Sequence, residues 1–96
     1  MTKMTLAFCL LLAFPREPDP SYKLLSSPGN TYGYDIYVHG RVLIHQPTIP
    51  GLPGNKGFRR KKDAERVAAL ILQKLQQHIL PPSVSRAEMD SLHIKF

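Results

Sequence analysis

Residues that do covalent or metal chemistry are scarce in this sequence. Its single cysteine, Cys9, lies in an apolar run near the N-terminus. The remainder of the chain therefore carries no disulfide framework, no cysteine-based zinc site and no thiol nucleophile. Tryptophan is absent, and seven Asp and Glu stand against thirteen Lys and Arg. Those few acids are scattered, so no paired-carboxylate cleft announces itself. The G-x-S-x-G and H-E-x-x-H strings are missing, as is any Cys–His pair. The expectation is a protein that is not an enzyme and needs no cofactor. Internal repeats are lacking too. The longest apolar run, residues 4–14, would span roughly half a bilayer core at about 1.5 Å per helical residue.

What is present describes a small, basic, globular chain. Its 96 residues predict one domain with a modest core. A hydrophobic share of 43% and a charged share of 21% argue against wholesale disorder. The formal net charge of +6 and the pI near 9.8 make a polyanionic partner physically reasonable. Nucleic acid, anionic lipid head groups and acidic glycans all qualify, as does a soluble basic protein with no such partner.

The N-terminus reads as an export signal. Lys3 precedes the apolar residues 4–14, and a polar, proline-rich break follows, which is the order of a secretory n-region and h-region. The expected location is the periplasm or cell envelope, with membrane contact through this segment alone. No A-x-A site follows, because Leu11 stands two positions before Ala13. Cleavage is left open between residues 14 and 20. Phe8 precedes Cys9 inside the run, which is not the pattern of lipid acylation. The competing reading is an apolar tail on a cytoplasmic protein. Pro15, Pro18 and Pro20 make residues 15–20 an extended linker.

The rest divides into a domain over residues 21–92 and a tail over 93–96. "SYKLLS", "TYGYDIYV" and "RVLIHQ" read as strands, separated by "SPGN" and by His39-Gly40. Pro28 and Gly29 stand in the order of a type II turn. Two short turns joining three strands predict an antiparallel meander. At the second turn, a left-handed Gly40 bulge would set Ile36 opposite Val42 and Tyr34 opposite Ile44. One face would then carry Tyr34, Ile36, Val38, Val42 and Ile44, and the other Asp35, Tyr37, Arg41 and His45. From 61 to 79, Ala64, Val67, Ala68, Ile71, Leu72, Leu75 and Ile79 recur at three- and four-residue steps. That is a helix, closed by Pro81-Pro82, and the small Ala64 and Ala68 allow close approach to the sheet. Ser85 and Glu88 have capping-box spacing and predict a short helix over 86–91. "LHIKF" reads as a frayed tail. The fold class expected is α+β: a three-stranded antiparallel meander, one long helix on one face and a short C-terminal helix.

The stretch "HQPTIPGLPGNKGFRRKKDAERVA" holds the candidate site. Lys56, Arg59, Arg60, Lys61 and Lys62 gather at a loop that opens a helix, where free backbone N–H groups attract anions. Gly51, Gly54 and Gly57 match neither phosphate-loop nor dinucleotide spacing. The prolines and glycines are also explained as a stiff crossing from sheet to helix, with Ile49, Leu52 and Phe58 tucked beneath and Gln46 satisfying loop backbone. Four cations oppose the helix dipole, and Arg60 at the N-cap replaces the usual hydroxyl, at about 1 kcal/mol. Asp63 offsets part of this. His45, Asp35 and Tyr37 share a face, but they lack a recognised metal-ligand spacing and Arg41 argues against a metal. His39 suits a left-handed turn position, and His78 and His93 fall at a helix end and in the tail.

"GYDIYVHG", "IHQPTIPGLPGNKGF", "DAERVAALILQKL" and "PPSVSRAEMDSL" together resemble a family of small exported proteins of Gram-negative bacteria, a domain of unknown function. The likeness covers residues 32–92, and the "QPxIPxxxGNKGF…DA" string carries most of it. It implies export, a sheet-plus-helix domain and no catalytic residues to transfer. Family members place Ser or Thr two residues after the Phe, then acids; here Arg60, Lys61 and Lys62 stand instead. The function expected is a non-enzymatic envelope module for interaction or structure, partnered by an unknown protein or envelope component. The alternative is a protein that binds phosphate-bearing lipid, glycan or nucleic acid through the basic helix start. Nucleic acid is the least favoured of these, because no aromatic platform is interleaved with the cations.

Overall fold

Tyr34 and Ile36 alternate with Asp35 and Tyr37 along the central strand, and only the first pair is fully buried. The computed structural model describes residues 18–96. The signal-like segment, Cys9 and the first half of the proline-rich linker, residues 15–17, lie outside them. Three strands, β1 (Ser21–Ser27), β2 (Thr31–Val38) and β3 (Arg41–Gln46), form one antiparallel sheet in that order. Helices α1 (Lys61–Gln76) and α2 (Arg86–Ser91) follow, which is the expected α+β arrangement.

Helix α1 lies on the Tyr34 and Ile36 side, against β2 and β1. Its buried stripe is Ala64, Val67, Ala68 and Ile71, the spacing of one helical face. Ala64 and Ala68 are both wholly covered, as expected of small residues where a helix rests on a sheet. Phe58 stacks on Tyr34 with ring centroids 6.2 Å apart. Ile49 enters from the loop, and Met89 and Ile94 from the C-terminal part. Burial holds the Tyr34 phenol protonated well above its ordinary range.

The second hairpin differs from expectation. His39 and Gly40 both have positive φ, 52° and 77°, and Val38 pairs directly with Arg41. This is a two-residue loop with the twist of a primed turn, which matches the twist of the strands. The irregularity falls inside β3: Tyr37 pairs with Val42 and Ile36 with Ile44, so Leu43 is the extra residue. Ile36 therefore opposes Ile44 rather than Val42, and Tyr34 opposes Gln46 rather than Ile44. Val42 moves to the open face beside Tyr37, and Arg41 to the other. The bulge still preserves what register protects, since Ile36 and Ile44 share the covered face.

The glycine-rich loop is tied down by backbone geometry. Phe58 exchanges both backbone hydrogen bonds with Tyr32, at 2.8 and 2.7 Å, filling the place that β3 vacates. Gly57 donates its N–H to the Thr31 hydroxyl, which itself donates to the Pro28 carbonyl. A Cβ at Gly57 would lie 2.3 Å from the Tyr32 carbonyl oxygen and 2.9 Å from that of Pro47. Gln46 donates to the Thr48 carbonyl at 2.7 Å, the loop-satisfying role its position foretold. Gly51 and Gly54 take left-handed backbone, so the periodic glycines serve the crossing itself.

Helix α1 ends earlier than the apolar pattern suggests. His78 turns left-handed at φ 58°, and its N–H reaches the Leu75 carbonyl while that of Ile79 reaches Lys74. This pair of bonds is the Schellman stop, with histidine where glycine is usual. Ile79 consequently lies outside the helix and is half exposed. Helix α2 starts with the expected Ser85–Glu88 capping box and ends in the same way at His93, φ 59°. Residues 93–96 do not fray: Ile94 is buried beside Met89.

Gly57→Ala should cost about 3 kcal/mol, the upper end for overpacking against backbone that cannot yield. His78→Gly should do the reverse. Relief of left-handed strain exceeds the added chain entropy by about 0.5–1 kcal/mol. Urea unfolding midpoints of the two variants check both signs.

Candidate functional site

After Phe58 closes the gap beside β2, the chain must turn into α1, and five cations crowd that corner. The structure separates them. Arg60 is the N-cap residue, extended at φ −125°, and its side chain makes no cap hydrogen bond. Its guanidinium instead turns to Asp63 in the first turn, Nε donating to Oδ2 at 2.9 Å and Nη2 to Oδ1 at 2.7 Å. The Lys95 backbone N–H donates to the same Oδ2 at 3.1 Å. Asp63 is completely buried and fully engaged.

The neighbouring arginines serve the same junction. Arg60 also donates to the His93 carbonyl at 3.3 Å, Arg66 to that of Leu92 at 3.1 Å and Arg59 to that of Phe96 at 3.2 Å. Leu92 and His93 close α2, where exposed carbonyls carry partial negative charge. The cations that oppose the start of α1 thus complement the end of α2. At the other end of the pair, Lys74 bridges Glu88 at 2.7 Å. Its hydrogen bonds, together with the Ser85 N–H, hold the Glu88 carboxyl below its usual range.

Lys61 lies over the Tyr32 ring, 5.7 Å from its centroid. Lys62 is exposed on the first turn. Lys56 and Arg59 come together in a different setting, a recess of about 530 Å³ between the turn after β1, the loop of residues 47–57 and Phe96. The five predicted cations therefore form no single cluster. One is committed to a buried carboxylate, one lies on an aromatic ring, one faces solvent, and two share a recess.

The open sheet face holds the other group. His45 and Asp35 are direct partners across β2 and β3, with Nδ1 and Oδ1 2.5 Å apart. Lys23, opposite Asp35 on β1, lies over Tyr37 at 5.1 Å. Among the described residues no group of three His, Cys, Asp or Glu could hold a metal ion. None of the described helices is long and apolar enough to cross a membrane.

Sequence reasoning missed Asp63 as a hub, passed over Arg66, and read residues 93–96 as a frayed tail where they pack against the start of α1. One signal was available. Asp63 stands four residues before Val67 and next to Ala64, on the apolar stripe, where a carboxylate survives only with partners. Which partners would come was not legible.

A family model described as a domain of unknown function, DUF4907, matches residues 26–91. The chain belongs to that family. No match was found among curated proteins or among solved structures. The DUF4907 match takes in Asp63 and the three arginines, and it stops before Leu92, so their partners in residues 92–96 lie beyond it.

Asp63→Asn should cost about 3 kcal/mol in urea unfolding at neutral pH. That is the low end for breaking a buried pair, because Arg60 stays a third exposed and regains water. Burial alone would raise the Asp63 carboxyl. The Arg60 hydrogen bonds, the Lys95 N–H and nearby positive charge outweigh it and hold the group below its ordinary value. A lowered folded-state value means that this stability is fully present above the unfolded value near 4 and is lost as pH falls through the folded one. Thermal melts between pH 2 and 5 should show a shallower acid limb for Asp63→Asn than for the parent.

Proposed function

We propose that this DUF4907 chain is a small exported module of the cell envelope that recognises a partner protein and performs no catalysis. The observation that carries the reading is the β3 edge. Val42 and Leu43 are each about half exposed, at 50% and 54%, on a strand that pairs only with β2 among the described residues. An open strand edge with apolar side chains suits the addition of an extended segment from another protein. The bulge at Leu43 and the flanking Arg41 and His45 limit indiscriminate pairing, as irregular and charged edges do. Support for export comes from the sequence alone, where Lys3 and the apolar residues 4–14 precede the proline-rich break. A Gram-negative envelope is the setting that the family resemblance implies.

The polyanion alternative has narrower support than the "RRKK" string gave it, since Arg60 is occupied by Asp63 and Lys61 by Tyr32. The export reading predicts that fractionation of the producing cell will place the protein in the periplasm or envelope. Intact-mass measurement of that fraction will report whether residues 1 to about 20 are removed or kept. Full-length protein found solely in the soluble cytoplasmic fraction would discard it.

A further inference from the structure

Helix α1 rests on β2 and β1, which leaves the inner side of β3 short of cover. Ile44, on that side, is only partly buried. Beside it opens a recess of about 280 Å³, bounded by β3, the loop at Pro50, Ile71 of α1 and residues 82–84. Ile44, Ile71 and Val84 give it apolar walls, and no charged side chain lines it. Whole small-molecule ligands occupy sites of about 300 Å³ and upward, so this recess is sized for a single side chain. One polar group in its wall is unclaimed. Tyr34 is 1% exposed and lines the recess. Burial alone acts on its phenol, with no hydrogen bond to it. Among the described residues no sealed side-chain polar atom lacks a partner, so this hydroxyl reaches open space where Tyr34 borders the recess. A protonated phenol there is a donor without an acceptor.

A second unmet need lies one step along the same face. Arg41 pairs with Val38 and Ile44 with Ile36, and those β2 partners are two residues apart. The bulge at Leu43 therefore makes Arg41 and Ile44 neighbours on one side of β3. Arg41 is exposed and belongs to none of the ion pairs among the described residues. β3 itself contains no acid, so a second copy paired edge to edge would bring Arg41 no carboxylate.

We propose that the partner segment added to β3 seats a tyrosine in this recess, hydrogen-bonded to the Tyr34 hydroxyl, and sets an acidic residue two positions away beside Arg41. The inference rests on the edge reading of β3 and names the chemistry of its partner. Side chains alternate along a strand, so residues two apart both face inward. An aliphatic side chain would fill the walls but leave the Tyr34 hydroxyl unpaired and cut off from water. A carboxylate would enter a recess that holds no cation. Asparagine or glutamine would supply an acceptor but bring little apolar surface to Ile44, Ile71 and Val84. Tyrosine brings a rigid apolar ring and an oxygen that can accept.

The test titrates the full chain with threonine-rich peptides of about ten residues, each carrying a central tyrosine. Glutamates two residues to either side of it cover both strand directions. NMR reads pairing from the β3 amides and occupancy of the recess from the Ile44, Ile71 and Val84 methyls. Slowed exchange of the β3 amides with all three methyls shifted is expected. Phenylalanine in place of the peptide tyrosine should weaken binding about fivefold, the loss of one neutral hydrogen bond, and alanine at least about tenfold. Tyr34→Phe, which keeps the ring, should erase the difference between the tyrosine and phenylalanine peptides. Arg41→Gln should weaken the glutamate peptide and leave a glutamine counterpart unchanged. Pairing at β3 that is equal for the tyrosine, phenylalanine and alanine peptides overturns this inference and leaves the edge reading standing. Failure of every peptide to protect β3 overturns both. A dimer of the free chain with its β3 amides already protected would overturn it in favour of a second copy.

Discussion

A fully buried carboxylate would be ruinous in this small core if it stood alone, because an unpaired charge in an apolar interior costs several kcal/mol. Asp63 is bearable only because the Arg60 fork and the Lys95 N–H meet both of its oxygens. That condition reaches well beyond one ion pair. It requires residues 92–96 to return to the start of α1, and it fixes how α2 lies against α1. It also brings Ile94 into the core beside Met89. The orientation of the C-terminal part follows from the need to satisfy one acid.

The two helices are then held at both ends by unlike devices. Arg60 and Arg66 reach the carbonyls that close α2, while Lys74 reaches Glu88 inside the capping box that opens it. On the sheet side the fastening is backbone. The bridge between Tyr32 and Phe58, and the Thr31 hydroxyl between Pro28 and Gly57, lock the loop onto β2. A chain with one cysteine, lying outside the described residues, thus gains its cross-links from hydrogen bonds placed where strands, loop and helix ends meet. The left-handed histidines His39, His78 and His93 mark the corners where the chain reverses.

This economy bears on function. Most of the positive charge that drew attention in the sequence is spent on carbonyls, a carboxylate and an aromatic ring. Lys62 faces solvent, Lys56 and Arg59 line a recess, and Val42 and Leu43 stay half exposed at the β3 edge.

The sequence by itself determined the elements and their order. Alternation in "TYGYDIYV", the three- and four-residue spacing from Ala64 to Leu75 and the Ser85–Glu88 cap are local patterns, and local backbone energetics read them directly. It also foretold the roles of Gln46, Ile49 and Phe58, because prolines and glycines left few ways to cross from sheet to helix. Tertiary structure alone decided the rest. With His39 and Gly40 forming a two-residue turn, an extra residue in β3 was needed to keep Ile44 opposite Ile36, and the bulge at Leu43 supplies it. The cations were divided because their partners arrive from far along the chain, at a sequence separation of 33 from Arg60 to His93 and 37 from Arg59 to Phe96. Charge in a sequence says only that a partner is needed; proximity in three dimensions says whether the protein has already supplied it.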